Sequence, residues 1–319
     1  MKMKIKHMMI TAFAVLFCTV KADAQGQSLP ILTMNTDART AAMGNASVAA
    51  EGMFLYTNPA AFFTIDKQWT ADVSASLFEK DEDIEGRYGL YAATVGYKLA
   101  KRHAVFAGFR YAGGLKLKGF DMLGNPTKDY KPYDWTIDLG YSYQIGNGFS
   151  AYATGSFLFS HLSKNANGAA FTIGATYQNN EINVLNCPAK LMIDAKVADI
   201  GPKLDYGNGY KTSMPTHITG GGALTVDVSD KHQIGVTASA SYYCEVDNHS
   251  MTMAGAGAEY TYNKMLSVRA GYEYGNHDLS HFTVGAGIKY QGLRLNGSYM
   301  LGTTDAKNSY LTVGLGYDF

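Results

Sequence analysis

The clearest feature of the chain is an alternation of apolar and small or polar positions that recurs along most of its length. In its last ten residues, the apolar positions are Leu311, Val313, Leu315, Tyr317 and Phe319. The positions between them are Thr312, Gly314, Gly316 and Asp318. Successive side chains of a strand point to opposite faces, so this pattern predicts a β-strand with one apolar face.

The same alternation, with turn residues taken as boundaries, predicts about fourteen strands. They cover residues 68–79, 88–100, 103–117, 133–146, 149–161, 169–179, 188–200, 215–228, 232–244, 251–263, 266–277, 281–291, 293–304 and 309–319. Residues 68–319 are therefore predicted to form an all-β domain, a transmembrane antiparallel up-and-down β-barrel of the bacterial outer membrane, in contact with its lipid. An even strand number places both termini on one side, which is expected to be the periplasm.

The predicted connections alternate in length. The tight set comprises residues 99–103, 146–148, 229–231, 263–265 and 291–292, with 179–187 as a longer exception. The longer, polar set comprises residues 78–87, 118–132, 161–168, 201–214, 245–250, 276–280 and 304–308. Tight turns are expected in the periplasm and long loops outside the cell.

The two faces of the predicted strands differ in chemistry. Four strands place outward the apolar runs Trp135, Ile137, Leu139, Tyr141, Tyr143; Ile234, Val236, Ala238, Ala240, Tyr242; Leu266, Val268, Ala270, Tyr272, Tyr274; and Phe282, Val284, Ala286, Ile288, Tyr290. Facing the lumen are the charged residues Arg110, Asp138, Asp194, Lys196, Asp227, Glu259, Arg269, Glu273, Lys289 and Arg294. An Arg or Lys turned toward lipid would cost about 2–4 kcal/mol, which supports this assignment. Because the charges balance, they are interpreted first as structural ion pairs rather than an ion-selective lining.

Residues 1–24 have the pattern of an export signal. Lys2, Lys4 and Lys6 precede an apolar run over residues 10–20, and Ala22-Asp23-Ala24 fits a cleavage site. A lipoprotein signal acylated at Cys18 is the alternative, although the bulky Phe17 precedes it. Without this segment the chain keeps 23 basic and 26 acidic side chains, and this slight negative charge argues against a nucleic-acid partner.

Two cysteines remain after the signal, Cys187 and Cys244. In an exported protein the default expectation is a disulfide. The strand assignment opposes it, because it places the two residues at opposite sides of an apolar band about 25 Å tall. A disulfide requires Cα atoms within about 7 Å of each other.

Residues 25–67 do not alternate and are predicted to form a plug inside the barrel. Asn35 or Thr36 is expected to cap a short helix over residues 37–43, which Gly44 ends. An aromatic stretch follows at residues 54–63. A barrel of this strand number is too wide for its own side chains to fill, so the segment has room within it.

Three motifs carry a resemblance to a known family. They are Asp37-Ala38-Arg39 followed by Ala42-Met43-Gly44-Asn45-Ala46, then Tyr56-Thr57-Asn58-Pro59-Ala60-Ala61, and finally residues 197–206. The first two resemble the N-terminal signature of the PorV/PorQ family of Bacteroidetes outer-membrane proteins, which is related to the fatty-acid channel FadL. The third resembles that family's segment leading into a surface loop.

The resemblance implies a fourteen-stranded barrel whose plug places the Asn58-Pro59-Ala60 turn in the lumen. Proline fixes φ and asparagine bonds nearby backbone, so the residues themselves also indicate a rigid turn. A turn without a gating function and a movable gate both remain open. Arg39 and Gly44 are further candidate plug residues, and the terminal Phe319 is a candidate signal for insertion into the membrane.

The sequence gives little support for a catalytic or metal-binding site. The sequence has no Gly-x-Ser-x-Gly motif, and no serine is cued to a histidine, so the protein is not expected to be an enzyme or to carry a cofactor. The predicted loops contain His161, His249, His277, Asp278 and His281, but without a metal-binding spacing.

Two functions remain. The family resemblance implies a partner-binding component of an outer-membrane export or assembly complex, such as the type IX secretion system. The alternative is a FadL-like channel that admits small hydrophobic compounds past a movable plug.

Overall fold

A computed structural model of the protein describes residues 29–80, 84–119, 125–162, 164–207, 209, 211–246, 249–275, 279–302 and 309–319. The predicted signal peptide with Cys18, residues 25–28 of the predicted plug, and the loop residues His277 and Asp278 lie outside these ranges. The described part contains the predicted strands and most of the segment that precedes them.

The described residues form a closed antiparallel barrel of fourteen strands and a separate two-stranded sheet. The barrel strands are β1 Trp69–Phe78, β2 Glu85–Ala100, β3 His103–Lys116, β4 Tyr133–Gly146, β5 Phe149–His161, β6 Asn165–Val184, β7 Cys187–Ile200, β10 His217–Asp227, β11 His232–Val246, β12 His249–Tyr262, β13 Leu266–Gly275, β14 His281–Tyr290, β15 Leu293–Gly302 and β16 Tyr310–Asp318. The small sheet consists of β8 Leu204–Asp205 and β9 Lys211–Thr212, which lie in the chain between β7 and β10. The predicted fold class and strand number are confirmed.

Closure of the barrel depends on the first and last strands. β1 pairs with β16, with Val73 opposite Leu315, and Trp69 and Phe319 exchange backbone hydrogen bonds of 2.8 and 3.1 Å. The wall therefore has no free edge, and its backbone groups are satisfied by neighbouring strands, as a bilayer requires.

The two ends of the barrel differ, and we name them by their connections. The turn end carries the tight turns, the start of β1 and Phe319, whereas the loop end carries the longer connections. The exception predicted at residues 179–187 is wrong, because β6 continues to Val184, which pairs with Cys187. Leu185 and Asn186 form a two-residue turn, with φ values of 50° and 64° that fit type I′. A register shift between Asn179 and Ile182 interrupts the alternation and hid this extension in the sequence.

The predicted faces are confirmed. Leu139, Phe282 and Leu315 are among the large apolar side chains exposed on the outside of the wall, while Thr312 on the opposite face of β16 is fully buried. Cys187 and Cys244 are both free and lie near opposite ends of the barrel, as the strand assignment required.

Candidate functional site

The candidate site is the interior of the barrel, where residues 29–67, which we call the inner segment, contact inward-facing side chains of the wall. The segment contains helix α1 (Pro30–Thr33), helix α2 (Ala38–Ala41) and a 3₁₀ helix (Pro59–Thr64). None of the helices among the described residues has the length and apolar character to span a membrane.

Helix α2 is capped by Asp37, not by Asn35 or Thr36 as expected. The Asp37 carboxylate accepts hydrogen bonds from the Thr40 backbone N–H at 2.9 Å and from Thr40 Oγ1 at 2.6 Å. Asn35 acts one step earlier, because its Oδ1 accepts the Asp37 N–H at 2.9 Å. The helix is shorter than predicted, ending at Ala41.

Arg39 connects this helix to the wall through a buried ion pair. Its guanidinium donates two hydrogen bonds to Glu259 on β12, at 2.8 and 3.1 Å, and a third to the Ala49 carbonyl. Arg269 on β13 binds the same carboxylate and also donates to Asn296 Oδ1 at 2.9 Å. Burial opposes the charged form of Arg39, but the carboxylates of Glu259 and Glu51 outweigh it and raise the pKa of the guanidinium. The group therefore stays charged and bound to the wall.

Gly44 lies where the inner segment runs directly against the backbone of the wall. Its φ is 66°, and a Cβ placed on it would lie 2.4 Å from the carbonyl oxygen of Tyr272 and 2.7 Å from that of Ala256. Its N–H donates to Thr283 Oγ1 at 3.1 Å. Glycine is therefore required here both by conformation and by space.

The Asn58-Pro59-Ala60 turn begins the 3₁₀ helix and is almost completely buried. Asn58 Oδ1 accepts the Ala60 N–H at 3.0 Å, and its Nδ2 donates to the Val48 carbonyl at 2.9 Å. Thr176 on β6 also donates to Asn58 Oδ1, at 3.1 Å. Proline at the first helical position has no N–H to lose, so the turn is rigid and bound to the wall.

A second buried arginine, Arg110 on β3, faces the middle of the inner segment. It pairs with Asp138 on β4 at 2.9 Å and donates to the Ile31 carbonyl at 2.9 Å. Tyr56, a residue that sequence reasoning did not single out as a contact, stacks 4.4 Å from this guanidinium and donates its hydroxyl to Asp138 at 2.7 Å. Burial, reinforced by Asp138, raises the pKa of the Tyr56 hydroxyl, which remains a donor.

Among the other predicted lumen charges, Asp194, Lys196 and Asp227 make hydrogen bonds to uncharged groups, those of Tyr152, Thr57 and Gln233. The remaining three have charged or titratable partners. Arg294 lies 3.1 Å from Asp72 and 2.8 Å from Asp318, two carboxylates missed as partners from the sequence. Glu273 Oε2 accepts from Asn45 Nδ2 at 2.6 Å and lies 3.1 Å from His281 Nε2. Lys289 lies 3.4 Å from Glu51.

Residues 197–206, the third matched motif, turn the chain over the loop end. Asp199 has a left-handed φ of 54°, and its carbonyl accepts a 2.9 Å hydrogen bond from Thr216. The chain then brings Leu204 and Tyr206 into an apolar cluster with Ile31 and Leu32 of helix α1. The loop and the beginning of the inner segment thus pack together.

The inner segment lies between two cavities. The loop-end chamber has a volume of about 380 Å³, and its lining mixes apolar and charged side chains, among them Leu32, Leu55, Tyr243, Met253, Arg110, Lys196, Asp199 and Glu273. The turn-end chamber has a volume of about 390 Å³ and includes among its lining residues Arg39, Glu51, Lys190, Lys264, Arg269, Lys289 and Arg294.

Two further candidates from the sequence are the terminal Phe319 and a metal site. Phe319 stacks on Trp69, with 6.1 Å between ring centroids, at the turn end of the β1–β16 junction. Within the described ranges, no group of three or more His, Cys, Asp and Glu side chains is arranged to hold a metal ion.

Comparison with known proteins identifies the family. Residues 19–244 match the family described as Type IX secretion system protein PorV, which is more than two thirds of the 319 residues. The chain belongs to the PorV family. The resemblance found in the motifs of this PorV-family protein is thereby confirmed, although no curated protein matches its sequence.

Solved structures with the same fold as this PorV-family barrel are FadL-like outer-membrane proteins. The toluene transporter TodX of Pseudomonas putida is 14% identical with a TM-score of 0.61, over 87% of this chain and 96% of that chain. The toluene transporter TbuX of Ralstonia pickettii is 12% identical with a TM-score of 0.63, over 88% and 97%. A FadL homologue of Pseudomonas aeruginosa is 12% identical with a TM-score of 0.53, over 89% and 98%. These likenesses establish the fold.

Proposed function

We propose that this protein is a non-enzymatic outer-membrane subunit that binds partner proteins of a type IX secretion machine. The observation that carries the proposal is the match of residues 19–244 to PorV, a protein described as belonging to that system. The proposed partner is a larger outer-membrane protein complex of the secretion or barrel-assembly machinery.

The inner segment supports this role as a plug. Arg39, Arg110 and Arg294 are each at least nine-tenths buried, and each is paired with a carboxylate. The Arg39–Glu259 pair joins the segment to the wall, and removing one member of such a pair costs about 3–5 kcal/mol. The wall pair Arg110–Asp138 adds hydrogen bonds to the segment at Ile31 and Tyr56, whereas Arg294 pairs within the wall. A lumen closed in this way suits a subunit that works through its surfaces better than a permanently open pore.

The proposed orientation puts the turn end and both termini in the periplasm. It is supported by the tight turns at one end and the longer connections at the other, as in bacterial outer-membrane barrels. The loop end, where residues 197–206 pack on helix α1, would then meet partners outside the cell.

A lateral surface suited to a partner lies on the outside of β7 and β10–β12, where small side chains are opposite one another. Ala195 pairs with Gly220, Gly220 with Ala240, and Ala240 with Ala254. The next row on this outer face, toward the turn end, contains Gly222, Ala238 and Ala256. Small side chains allow close approach of another membrane-spanning element, which is how packing is gained in lipid.

The test is affinity purification after gentle detergent extraction, with a tag in the exposed turn at Asp230 and mass spectrometry of the bound proteins. We expect type IX secretion components to copurify with the wild type. Ala256→Trp should reduce their recovery, because the indole fills the small surface. Ala107→Trp is the matched control, since Ala107 is also exposed on the outside but lies on β3, on the other side of the ring from β12. A lone barrel, or equal loss in both variants, would contradict the proposal.

A FadL-like channel is the second candidate, and the loop-end chamber favours it. Its volume of about 380 Å³ and its apolar residues, including Leu55, Tyr243 and Met253, fit a small hydrophobic compound. TodX and TbuX, which share the fold, are named as toluene transporters. Uptake of toluene into liposomes carrying the purified protein, abolished by Ser241→Trp in the chamber wall, would favour this function over the first.

Phe319 is proposed as part of the insertion signal. Its ring is half exposed at the turn end, beside Trp69 and Tyr317. Deleting Phe319 should lower the amount of barrel in the outer membrane, whereas unchanged levels would reject this role.

A further inference from the structure

The turn-end chamber contains more positive than negative charge. Its lining includes six basic side chains, Arg39, Lys190, Lys264, Arg269, Lys289 and Arg294, but Glu51 is its one acidic residue among the described part of the chain. Four carboxylates contact these bases: Glu51, Glu259, Asp72 and Asp318. The imbalance leaves two positive charges in the chamber.

Those two charges are carried by Lys190 and Lys264. Both side chains are exposed and line the chamber, and neither takes part in an ion pair with another described residue. Asp227 on β10 does not relieve them, because it accepts a 2.7 Å hydrogen bond from Gln233 and does not line the chamber. The lysines are therefore available to a ligand.

One of the arginines that line the chamber, Arg294, has an unused donor. Arg294 is only 3% exposed, and its Nε is a buried donor with no acceptor among the described residues. All hydrogen bonds that Arg294 makes there come from its Nη2 atom. A buried donor without a partner is costly, and an incoming oxygen atom would remove that cost.

The spacing of the lysines distinguishes between anions. Lys190 lies on β7 and Lys264 in the turn after β12, so β10 and β11 lie between them. Three steps between neighbouring strands correspond to about 14 Å, which is too wide for one phosphate or sulfate. An extended peptide with several carboxylates spans this distance with about five residues.

We propose that the turn-end chamber binds a short acidic peptide segment, with its carboxylates on Lys190 and Lys264 and one oxygen directed to the donors near Arg294. Binding of an acidic peptide in this chamber does not depend on which protein complex the barrel belongs to. The inference rests on the proposed function only in placing this end, and therefore the peptide, in the periplasm.

The test measures binding of fluorescent hexaglutamate to the purified full-length barrel in detergent by anisotropy. We expect saturable binding that weakens as salt is added, and no binding of hexaglutamine. Lys190→Glu combined with Lys264→Glu should weaken hexaglutamate binding on the order of tenfold or more, because two favourable charges become repulsive. Both lysines are exposed, so the reversal leaves the packing intact.

The matched control is Lys101→Glu combined with Lys231→Glu. These lysines are also exposed at the turn end but do not line the chamber. Affinity in this variant should remain within about twofold of the wild type, because exposed charges outside the site are screened. Folding of each variant is checked by its altered gel mobility on heating.

Three results would overturn the proposal. They are no saturable binding of hexaglutamate, equal weakening in the chamber and control variants, and competition by inorganic phosphate as effective as that by unlabelled hexaglutamate. None of them bears on copurification with secretion components, so the proposed function can stand or fall separately.

Discussion

The two chambers on either side of the inner segment have nearly equal volumes, about 380 and 390 Å³, but different linings. At the loop end, the lining contains two basic residues, Arg110 and Lys196, two acidic residues, Asp199 and Glu273, and several apolar side chains. At the turn end, lysines and arginines dominate. One barrel thus offers an amphipathic cavity without an excess of basic residues at one end and a positively charged cavity at the other.

This difference leads us to propose that the inner segment acts as a partition between the two chambers. Arg39 lines only the turn-end chamber, whereas Tyr56 lines only the loop-end chamber. Each is bound to a different part of the wall, Arg39 to β12 and Tyr56 to β4. Breaking either contact should therefore affect the separation of the chambers to a degree set by the strength of that contact.

The largest effect is expected from Arg39→Ala. It removes the ion pair with Glu259 and the bond to the Ala49 carbonyl, at a cost of about 3–5 kcal/mol in the free energy of unfolding. With the partition loosened, the two chambers should connect, which single-channel conductance in planar bilayers would detect. Arg102→Ala, at an exposed turn-end position, is the control and should leave conductance unchanged. A silent Arg39→Ala barrel of normal stability would show that the partition does not depend on this pair.

A charge on the outside of the wall should matter more than the same charge in a chamber. Leu315→Arg puts a cation in hydrocarbon and should cost about 2–4 kcal/mol near the midplane. Thr225→Arg places it in the turn-end chamber, where there is space and the lining is largely polar. Folded fractions on gels run without heating should fall for the first variant and not for the second. Equal losses would mean that the assignment of faces is wrong.

Gly44→Ala tests the closest approach of the partition to the wall. The left-handed φ of 66° costs an alanine about 1–2 kcal/mol, and its Cβ would also press on the Tyr272 carbonyl. We expect a lower thermal midpoint and faster protease cleavage of the inner segment. Gly314→Ala is matched to it, because a Cβ there meets only ordinary contacts such as Ala38 Cβ at 3.6 Å. If both variants behave alike, the tight fit at Gly44 does not contribute to the stability of the barrel.

The smallest effect is expected from Tyr56→Phe. It removes one hydrogen bond to Asp138, at about 1 kcal/mol, but keeps the ring against Arg110. A small drop in the chemical-denaturation midpoint, without any change in conductance, is the expected result. Tyr91→Phe on the outer face should show no drop. If the Tyr56→Phe barrel conducts, the Tyr56–Asp138 contact is as important as the Arg39–Glu259 pair for keeping the chambers separate.

The wall could be predicted from the sequence because its signal is local. Alternation sets each strand, so the bounds of β4 and β5 agree with the prediction to the residue. The prediction failed at residues 179–187, where a register shift breaks the period and where Leu185, an uncommon residue for a left-handed turn, gives no warning. Local patterns report local structure only.

The interior could be predicted only in part. Charges on the inward face, such as Glu259 and Arg294, followed from alternation, but their partners did not. Arg39 and Glu259 are 220 residues apart, and Tyr56 and Asp138 are 82 apart. No single-sequence pattern pairs such residues, because their proximity is set by the closure of the whole ring. The excess charge of the turn-end chamber arises from the same long-range placement.

The junction between Trp69 and Phe319 has a consequence for the order of events during biogenesis. The first strand of the barrel pairs with the last one, so the ring closes only when both strands are in place. The inner segment precedes nearly all of its contact partners in the chain. Most of its contacts can form only once the ring is complete. Closure of the wall and enclosure of the inner segment thus belong to one late, cooperative step of folding.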